Sequence, residues 1–452
     1  MQIGKDETPY AQVLPDGTIE QTRHQEVARK GSVRKFFRGL GPGLITGAAD
    51  DDPSGISTYS TAGAAYGFGM LWTALFSFPL MAAVQLMCAR IGLVSGRGLA
   101  AVLRNYYSRR VLWFACTLLL IANTVNIAAD LGGMAEAMEL LTGWPSLWFH
   151  LPITLLILAL LILASYRAIV RVFKWLTLAL LAYIAATFLA HPRWDEVMRA
   201  TFIPHLRFTS DYWMTFVGIL GTTISPYLFF WQAAQEVEEE KAAGKRTVGR
   251  RKGASAEEMR AVWTDTFTGM ALSNVVMYFI ILTTGATLFV AGQRDIQTAR
   301  EAAEALRPLA GELAYLLFAF GLIGTGFLGV PVLAGSAAYA IAEAGAWRSG
   351  MNEHPRLAKK FYAVIAVAML SGMAMDFVGL NAIKMLFWAA VLNGLLAPPL
   401  IIIILRVCNN PKVMGEYTNG KLLNWLGALC AMVMSAAAVA MLIAWLWPGQ
   451  PA

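Results

Sequence analysis

Charge is scarce in this chain. Asp, Glu, Lys and Arg make up 14% of its 452 residues, well below the roughly 25% of soluble domains. With 57% hydrophobic residues and a mean hydropathy of +0.54, that scarcity excludes a soluble globular domain and implies a polytopic membrane protein. Cysteine is scarce as well. Cys88, Cys116, Cys408 and Cys430 stand singly in apolar segments without paired spacing, so they read as small packing residues, not as a disulfide frame or a zinc site. The five histidines (His24, His150, His191, His205, His354) are all expected in tails or loops, which leaves no side chain titrating near neutral pH at membrane depth. Residues 1–35 lack the apolar core of a cleavable signal and read as a cytosolic tail ahead of a membrane domain, 36–452. No nucleophile–base pair, phosphate-binding loop or metal-hydrolase spacing falls in a membrane-depth segment, so an enzyme is not expected.

What the chain has in abundance is apolar runs near the ~20-residue spanning length. Eleven are expected, at about 36–66, 69–93, 111–141, 148–166, 169–190, 212–236, 262–291, 311–344, 358–374, 379–406 and 423–447. If the amino end is cytosolic, 29 of the 36 basic residues fall on the inner side. They lie in the tail, Arg90 to Arg110, Arg167 to Lys174, Lys241 to Arg260, Arg348 to Lys360, and Arg406 to Lys421. This asymmetry sets the expected topology, amino end in and carboxyl end out. It also accounts for the net charge of +7 without a nucleic-acid partner. The densest basic run, Lys245 to Lys252, follows Glu236, Glu238, Glu239 and Glu240. It reads as a topological anchor on a solvated loop or as a contact for anionic lipid headgroups.

One stretch breaks the apolar pattern. Asp50, Asp51 and Asp52 lie inside the first segment and are followed by Pro53, Ser54 and Gly55. An Asp at bilayer depth costs about 2.5–3.5 kcal/mol on insertion scales, so such residues are rare and mark function. Pro and Gly favour leaving the helix, and a helix broken at that depth survives only where its loose backbone is buried in protein or lines a cavity. The sixth segment echoes the first, with Gly218, Gly221, Thr222, Thr223, Ser225 and Pro226 in mid-span. A third interruption is expected in the eighth, at the run Gly321, Gly324, Gly326, Gly329 and Pro331, which reads as close small-residue packing with a kink. Two breaks five segments apart imply an inverted repeat of five helices each, with one extra helix and with substrate at the midplane between the interruptions. Three acids at the break favour a cation over an anionic organic substrate.

These residues carry a resemblance. Gly41-Pro42-Gly43-Leu44 with Asp52-Pro53-Ser54-Gly55 resembles the first-helix motif of the NRAMP family of divalent-metal transporters. Thr222-Thr223-Ile224-Ser225-Pro226-Tyr227 resembles that family's sixth-helix motif, and the similarity runs over about 36–447, including Ala129-Asp130-Leu131 and Trp388 to Pro399. The resemblance implies an all-helical LeuT-type fold and secondary transport of a divalent metal. The departures from the family pattern are specific. Ser54 and Gly55 replace a Gly-Asn pair whose Asn ligates metal, Ser225 stands for a Met ligand, and Tyr227 and Gln232 stand for two His. Ala390 stands where a tenth-helix Gln can contact metal, and Gly133 where an acid often follows the third-helix Asp130.

Losing a thioether removes the soft ligand, and oxygen ligands suit Mg²⁺. Mg²⁺ sheds water reluctantly and binds through one or two carboxylates. The pattern therefore resembles the NRAMP-related magnesium transporters, with Mg²⁺ and possible Mn²⁺ as cargo and no resident cofactor. Asp52, the hydroxyl of Ser225, the carbonyls around Thr222, the space opened at Gly55, and Asp51 are the candidate site. Asp51 and Asp50 form either a negative vestibule or, instead, hydrogen bonds to freed backbone or a pairing with a nearby base, and Ser225 is either a ligand or a cap. Asp130 is either a proton route or a scaffold pairing. Asn123, Asn126, Asn381 and Asn393 are expected to join helices, and Glu136 and Glu139 to be solvated. With both family His positions lost, uncoupled flux is expected, in a prokaryotic inner membrane, with surrounding lipids and no obligate protein partner. The rival readings are a proton-coupled Mn²⁺/Fe²⁺ symporter, an organic-substrate carrier and a metal-sensing membrane protein without flux.

Overall fold

The computed structural model describes residues 42–163, 177–377 and 381–446. The tail 1–35, His24, Gly41 and the basic stretch Arg167 to Lys174 lie outside those residues. All regular structure among the described residues is helical. The first expected segment is two helices, α1 (Pro42–Asp50) and α2 (Pro53–Tyr66). There follow α3 (Trp72–Ser95), α4 (Leu99–Tyr106), α5 (Arg109–Thr142), α6 (Leu147–Leu163) and α7 (Leu181–Leu189). The sixth segment is again divided, into α8 (Ser210–Thr223) and α9 (Pro226–Ala242). The chain continues through α10 (Ala256–Thr284), α11 (Ala314–Ala344), α12 (Lys359–Asp376), α13 (Ala382–Cys408) and α14 (Lys421–Leu446). Each of the eleven expected segments thus holds helix, and seven helical stretches among the described residues are long and apolar enough to cross a membrane.

Two expectations need correcting. The eighth segment is not broken: α11 runs without interruption from Ala314 to Ala344 with Pro331 inside it. Proline removes a single donor, and a helix buried among neighbours can absorb that loss. Here α11 lies along α5, and Asn123 on α5 donates its Nδ2 to the Leu333 carbonyl at 2.7 Å and to Ser336 Oγ at 2.6 Å, two and five residues past the proline. The second correction concerns His150. It is not in a loop but in the first turn of α6, buried, with its ring 6.1 Å from that of Phe377.

The broken helices are held by close backbone contacts. A Cβ on Gly47 of α1 would overlap the backbone of Gly269 on α10. A Cβ on Gly221 of α8 would overlap the Ala390 carbonyl and the Gly394 backbone of α13. Without a hydrophobic drive between helices in lipid, such small-residue contacts are what association relies on. The basic run after α9 is docked, not free. Arg251 is buried and donates to the carbonyls of Gly96, Lys245 and Arg246, while Lys245 pairs with Glu240 and Glu258 at 3.1 and 2.7 Å. Those two carboxylates hold the Lys245 ammonium above its ordinary value. The four cysteines are free and buried.

The α8–α13 contact gives a direct prediction. Gly221→Leu should lower stability by about 1–3 kcal/mol through overpacking, read as a fall in the thermal unfolding midpoint of the detergent-solubilised protein. The exposed Gly249→Leu, whose Cβ would meet nothing, should leave that midpoint in place.

Candidate cation site at two helix breaks

The site is built where α1 gives way to α2 and α8 to α9. Asp52 leaves the helical conformation, with φ −68° and ψ 172°, and caps α2. Its Oδ1 accepts the Gly55 amide at 2.8 Å and the Ser54 hydroxyl at 2.7 Å. Pro53 then occupies the first helical position, where its missing N–H costs nothing. The second break repeats the device in part. Ser225 is extended at the start of α9, with Pro226 next. Its hydroxyl does not cap α9. It faces back to the end of α8, 2.9 Å from the Gly221 carbonyl and 2.7 Å from that of Thr222, and shares its one proton between them. Those carbonyls are among the orphans that a helix end leaves.

The two breaks touch. Tyr227, in the first turn of α9, places its hydroxyl 3.0 Å from the Ala49 carbonyl at the end of α1 and 3.2 Å from Asp52 Oδ2. A Cβ on Gly55 would stand 3.2 Å from Thr222 Oγ1 and 3.4 Å from the Asp50 carbonyl, so the residue's smallness is what lets the α8 end approach. Tyr59 OH and Thr223 Oγ1, 3.3 Å apart, form a further bridge. One thioether comes near: Met277 Sδ on α10 is 3.6 Å from Thr223 Oγ1.

Hydrogen bonds divide the three acids. Asp50 Oδ2 and Asp51 Oδ1 lie 2.6 and 3.1 Å from the hydroxyl of Ser273 on α10. Both are buried, and their partner is a side chain of α10, neither the freed backbone nor a base. Asp52 instead turns to its own helix and to Tyr227. Ser273 was not found in the sequence because nothing in the pattern of the seventh segment distinguishes it. Among the described residues no three of His, Cys, Asp and Glu converge as a metal cage.

Asp130 does reach this place. It lies on α5, buried, and neither carboxylate oxygen has a hydrogen-bond partner among the described residues. A Cβ on Gly329 of α11 would be 2.9 Å from Asp52 Cβ and 3.5 Å from Asp130 Oδ2, so the bare backbone there separates the two acids by one side chain's width. Gly133, one turn on, faces Pro53 and Leu386.

The remaining expected residues lie outside the joint. Gln232 accepts from Thr46 Oγ1 at 2.6 Å and donates to Glu236 at 2.7 Å, tying α9 to α1. Asp265 receives the Gly43 amide at 2.6 Å on the same flank. Ala390 is buried with its carbonyl against Gly221. Asn123 joins helices as expected, and Asn381 caps α13. Asn126 and Asn393 are buried without side-chain partners among the described residues, so no such bond is seen for them. Glu136 and Glu139 line a cavity of about 390 Å³ beside Thr298 and Arg300, and Glu139 accepts the Ser146 amide at 2.7 Å.

Tyr227→Phe removes the donor to the Ala49 carbonyl and to Asp52. Leaving a buried acceptor unmade costs about 1–3 kcal/mol, so the unfolding midpoint should fall. An unchanged midpoint would show that Tyr227 is not what joins the breaks.

Comparison with known proteins gives three findings. Residues 43–444 match the family model described as "Nramp: Natural resistance-associated macrophage protein-like". The chain is 25% identical over 414 residues to the divalent metal cation transporter MntH of Caldanaerobacter subterraneus subsp. tengcongensis, covering 88% of this chain and 91% of that one. Among solved structures it is similar to the Eremococcus coleocola manganese transporter in complex with an aromatic bis-isothiourea substituted compound, with a TM-score of 0.69 at 19% identity over 93% and 91% of the two chains. It is also similar to Mhp1, a nucleobase-cation-symport-1 family transporter, in a closed conformation, with a TM-score of 0.55 at 15% identity over 90% of each. The fold is of the LeuT type.

Proposed function

The chain belongs to the Nramp family, and on that premise we propose that it carries divalent cations across a membrane, with Mg²⁺ as the principal cargo and Mn²⁺ as a second. The observation that supports this most is the donor set at the joint. One carboxylate, Asp52, meets the hydroxyl of Ser54 from its own break and that of Tyr227 from the other, and Ser225 and Tyr227 supply oxygen where the family pattern has sulfur and imidazole. Oxygen donors favour hard cations. One or two carboxylates with retained water is the mode that Mg²⁺ prefers.

Asp52 is the principal ligand in this reading. Its Oδ2 accepts, at 3.2 Å, from a Tyr227 hydroxyl that also has the Ala49 carbonyl within 3.0 Å. When a cation takes Oδ2, Tyr227 keeps a partner, so loading leaves no donor orphaned. Ser225 and the Thr222 carbonyl contribute directly or through water; with its proton directed at backbone, the Ser225 hydroxyl keeps oxygen lone pairs for the ion or its shell. Asp50 and Asp51 contribute negative potential from the Ser273 side.

No imidazole stands at Tyr227 or Gln232, and transport is proposed to be uncoupled from protons. Voltage suffices as a drive: about 2.3 kcal/mol per charge per 100 mV gives about 4.6 kcal/mol per 100 mV for a divalent ion. The amino end is cytosolic and the carboxyl end extracytoplasmic in a prokaryotic inner membrane, on the asymmetry of basic residues. The protein works by alternating access, without catalysis, resident cofactor or obligate protein partner. A second reading, a proton-coupled Mn²⁺ or Fe²⁺ symporter, is favoured by one observation: Asp130, without a hydrogen-bond partner among the described residues, lies next to Asp52.

Proteoliposomes loaded with a Mg²⁺ indicator and a pH indicator separate the readings. Mg²⁺ uptake should follow an inside-negative potential and be indifferent to an imposed pH gradient. Acidification of the lumen in step with uptake would establish the symporter instead. Asp52→Ala should abolish flux, and Ser225→Met should shift preference toward Mn²⁺ or Cd²⁺. Mg²⁺ uptake at the wild-type rate by Asp52→Ala would remove the site assignment.

A further inference from the structure

A second charged cavity lies far from the helix breaks, on the face that carries the basic loops. It has a volume of about 210 Å³, and Arg97, Arg104, Lys241 and Arg251 line it, with one acid, Glu343. These side chains come from five places in the chain: the α3–α4 turn, α4, the end of α9, the short helix Val248–Arg251, and the end of α11. Like charges gathered in a small space repel one another; Glu343 and Glu238, the latter paired with Lys241 at 2.7 Å, offset part of this charge and leave Arg97 and Arg104 as the cations least matched.

The contacts show which charges are already used. Arg251 gives its Nε and Nη1 to backbone carbonyls. Lys241 pairs with Glu238 at 2.7 Å. Arg104 donates one Nη to the Glu343 carbonyl and makes no other hydrogen bond or ion pair among the described residues. Arg97, half-buried, makes none at all with its side chain among the described residues. The cavity also already receives an anionic group. The Glu343 carboxylate accepts the Ala101 amide at 3.1 Å, in the first turn of α4, and lies against Gly98 where a Cβ would overlap it. It forms no ion pair with any of the four bases. The place thus already holds one carboxylate of the chain against a helix amide, and the Arg97 side chain makes no bond to it among the described residues.

We propose that this cavity binds a single phosphate group, with Arg97 and Arg104 as its principal donors. Guanidinium forks match the spacing of phosphate oxygens. The volume, about 210 Å³, accommodates a phosphoryl group. The group is either a free phosphate or the headgroup of an anionic lipid. Bound there, it would link α4, α9 and α11, and so couple the end of the second broken helix to the scaffold. The inference does not depend on the identity of the transported ion.

Two arms distinguish the sources. In the first, inorganic phosphate is titrated into the full-length protein in neutral detergent and binding is followed by thermophoresis. In the second, the protein is reconstituted in nanodiscs of phosphatidylglycerol or of phosphatidylcholine, and retained lipid is counted by native mass spectrometry. Phosphate binding weakened about tenfold by Arg97→Gln, as expected for one lost charged hydrogen bond, would identify free phosphate. Retention of phosphatidylglycerol over phosphatidylcholine, lost in Arg97→Gln, would identify the lipid. Arg97 makes no side-chain bond among the described residues, so an unfolding midpoint measured alongside, expected to be unchanged, separates lost binding from lost folding. Lys241→Gln supplies an independent second variant. Binding in neither arm, or binding indifferent to both substitutions, would overturn the proposal.

Discussion

A helix that stops inside a membrane leaves amides and carbonyls with no water to bond, and the rest of this structure follows from how that demand is met. Asp52 answers it at the start of α2 by accepting the Gly55 amide. Ser225 answers it at the end of α8, across two carbonyls. Tyr227 answers it between the two breaks, at the Ala49 carbonyl. Each unmet group would cost several kcal/mol in hydrocarbon. The groups that repair the backbone are the same ones proposed to receive the cargo, so one set of oxygens would serve both structure and transport.

That dual use bears on selectivity. A hydroxyl that gives its proton to a carbonyl keeps lone pairs for an ion or its water, and one carboxylate with a few neutral oxygens does not replace the whole shell of a divalent ion. A cation that keeps water and accepts it as the mediator suits such a place better than one that needs sulfur or imidazole. Gly55, Gly329 and Ala390 add no donors. Gly55 and Gly329 let helices close around the joint, and Ala390 does so through its backbone contact with Gly221. Asp130 is the exception, a buried acid with no hydrogen-bond partner among the described residues and only a glycine backbone between it and Asp52.

Much of this was legible in the sequence, for identifiable reasons. Pro53 and Pro226 following polar residues in apolar runs can be satisfied only by a broken helix, and both breaks are where those residues put them. The eleven segments could be read because hydrophobic length is dictated by the bilayer. The misreadings arose where sequence-local rules met tertiary contacts. Pro331 sits in an unbroken helix because neighbouring helices support it, and His150, inside the expected segment 148–166, belongs to α6, where it is buried beside Phe377. Ser273 could not be foreseen, since one Ser in an apolar helix carries no positional signal until α1 is laid against α10. The basic run after α9 looked solvated, but its Arg251 finds buried carbonyls that only the folded loop provides.

The central claim is that a divalent cation sits at the meeting of the two breaks, bound by Asp52 and still carrying much of its water. Electron–nuclear double resonance on protein loaded with Mn²⁺ as a spectroscopic stand-in tests it most directly. The account predicts strong couplings to exchangeable water protons, no nitrogen coupling, and loss of the bound signal in Asp52→Asn. A dehydrated ion with nitrogen ligands, or a bound signal indifferent to Asp52, would contradict it.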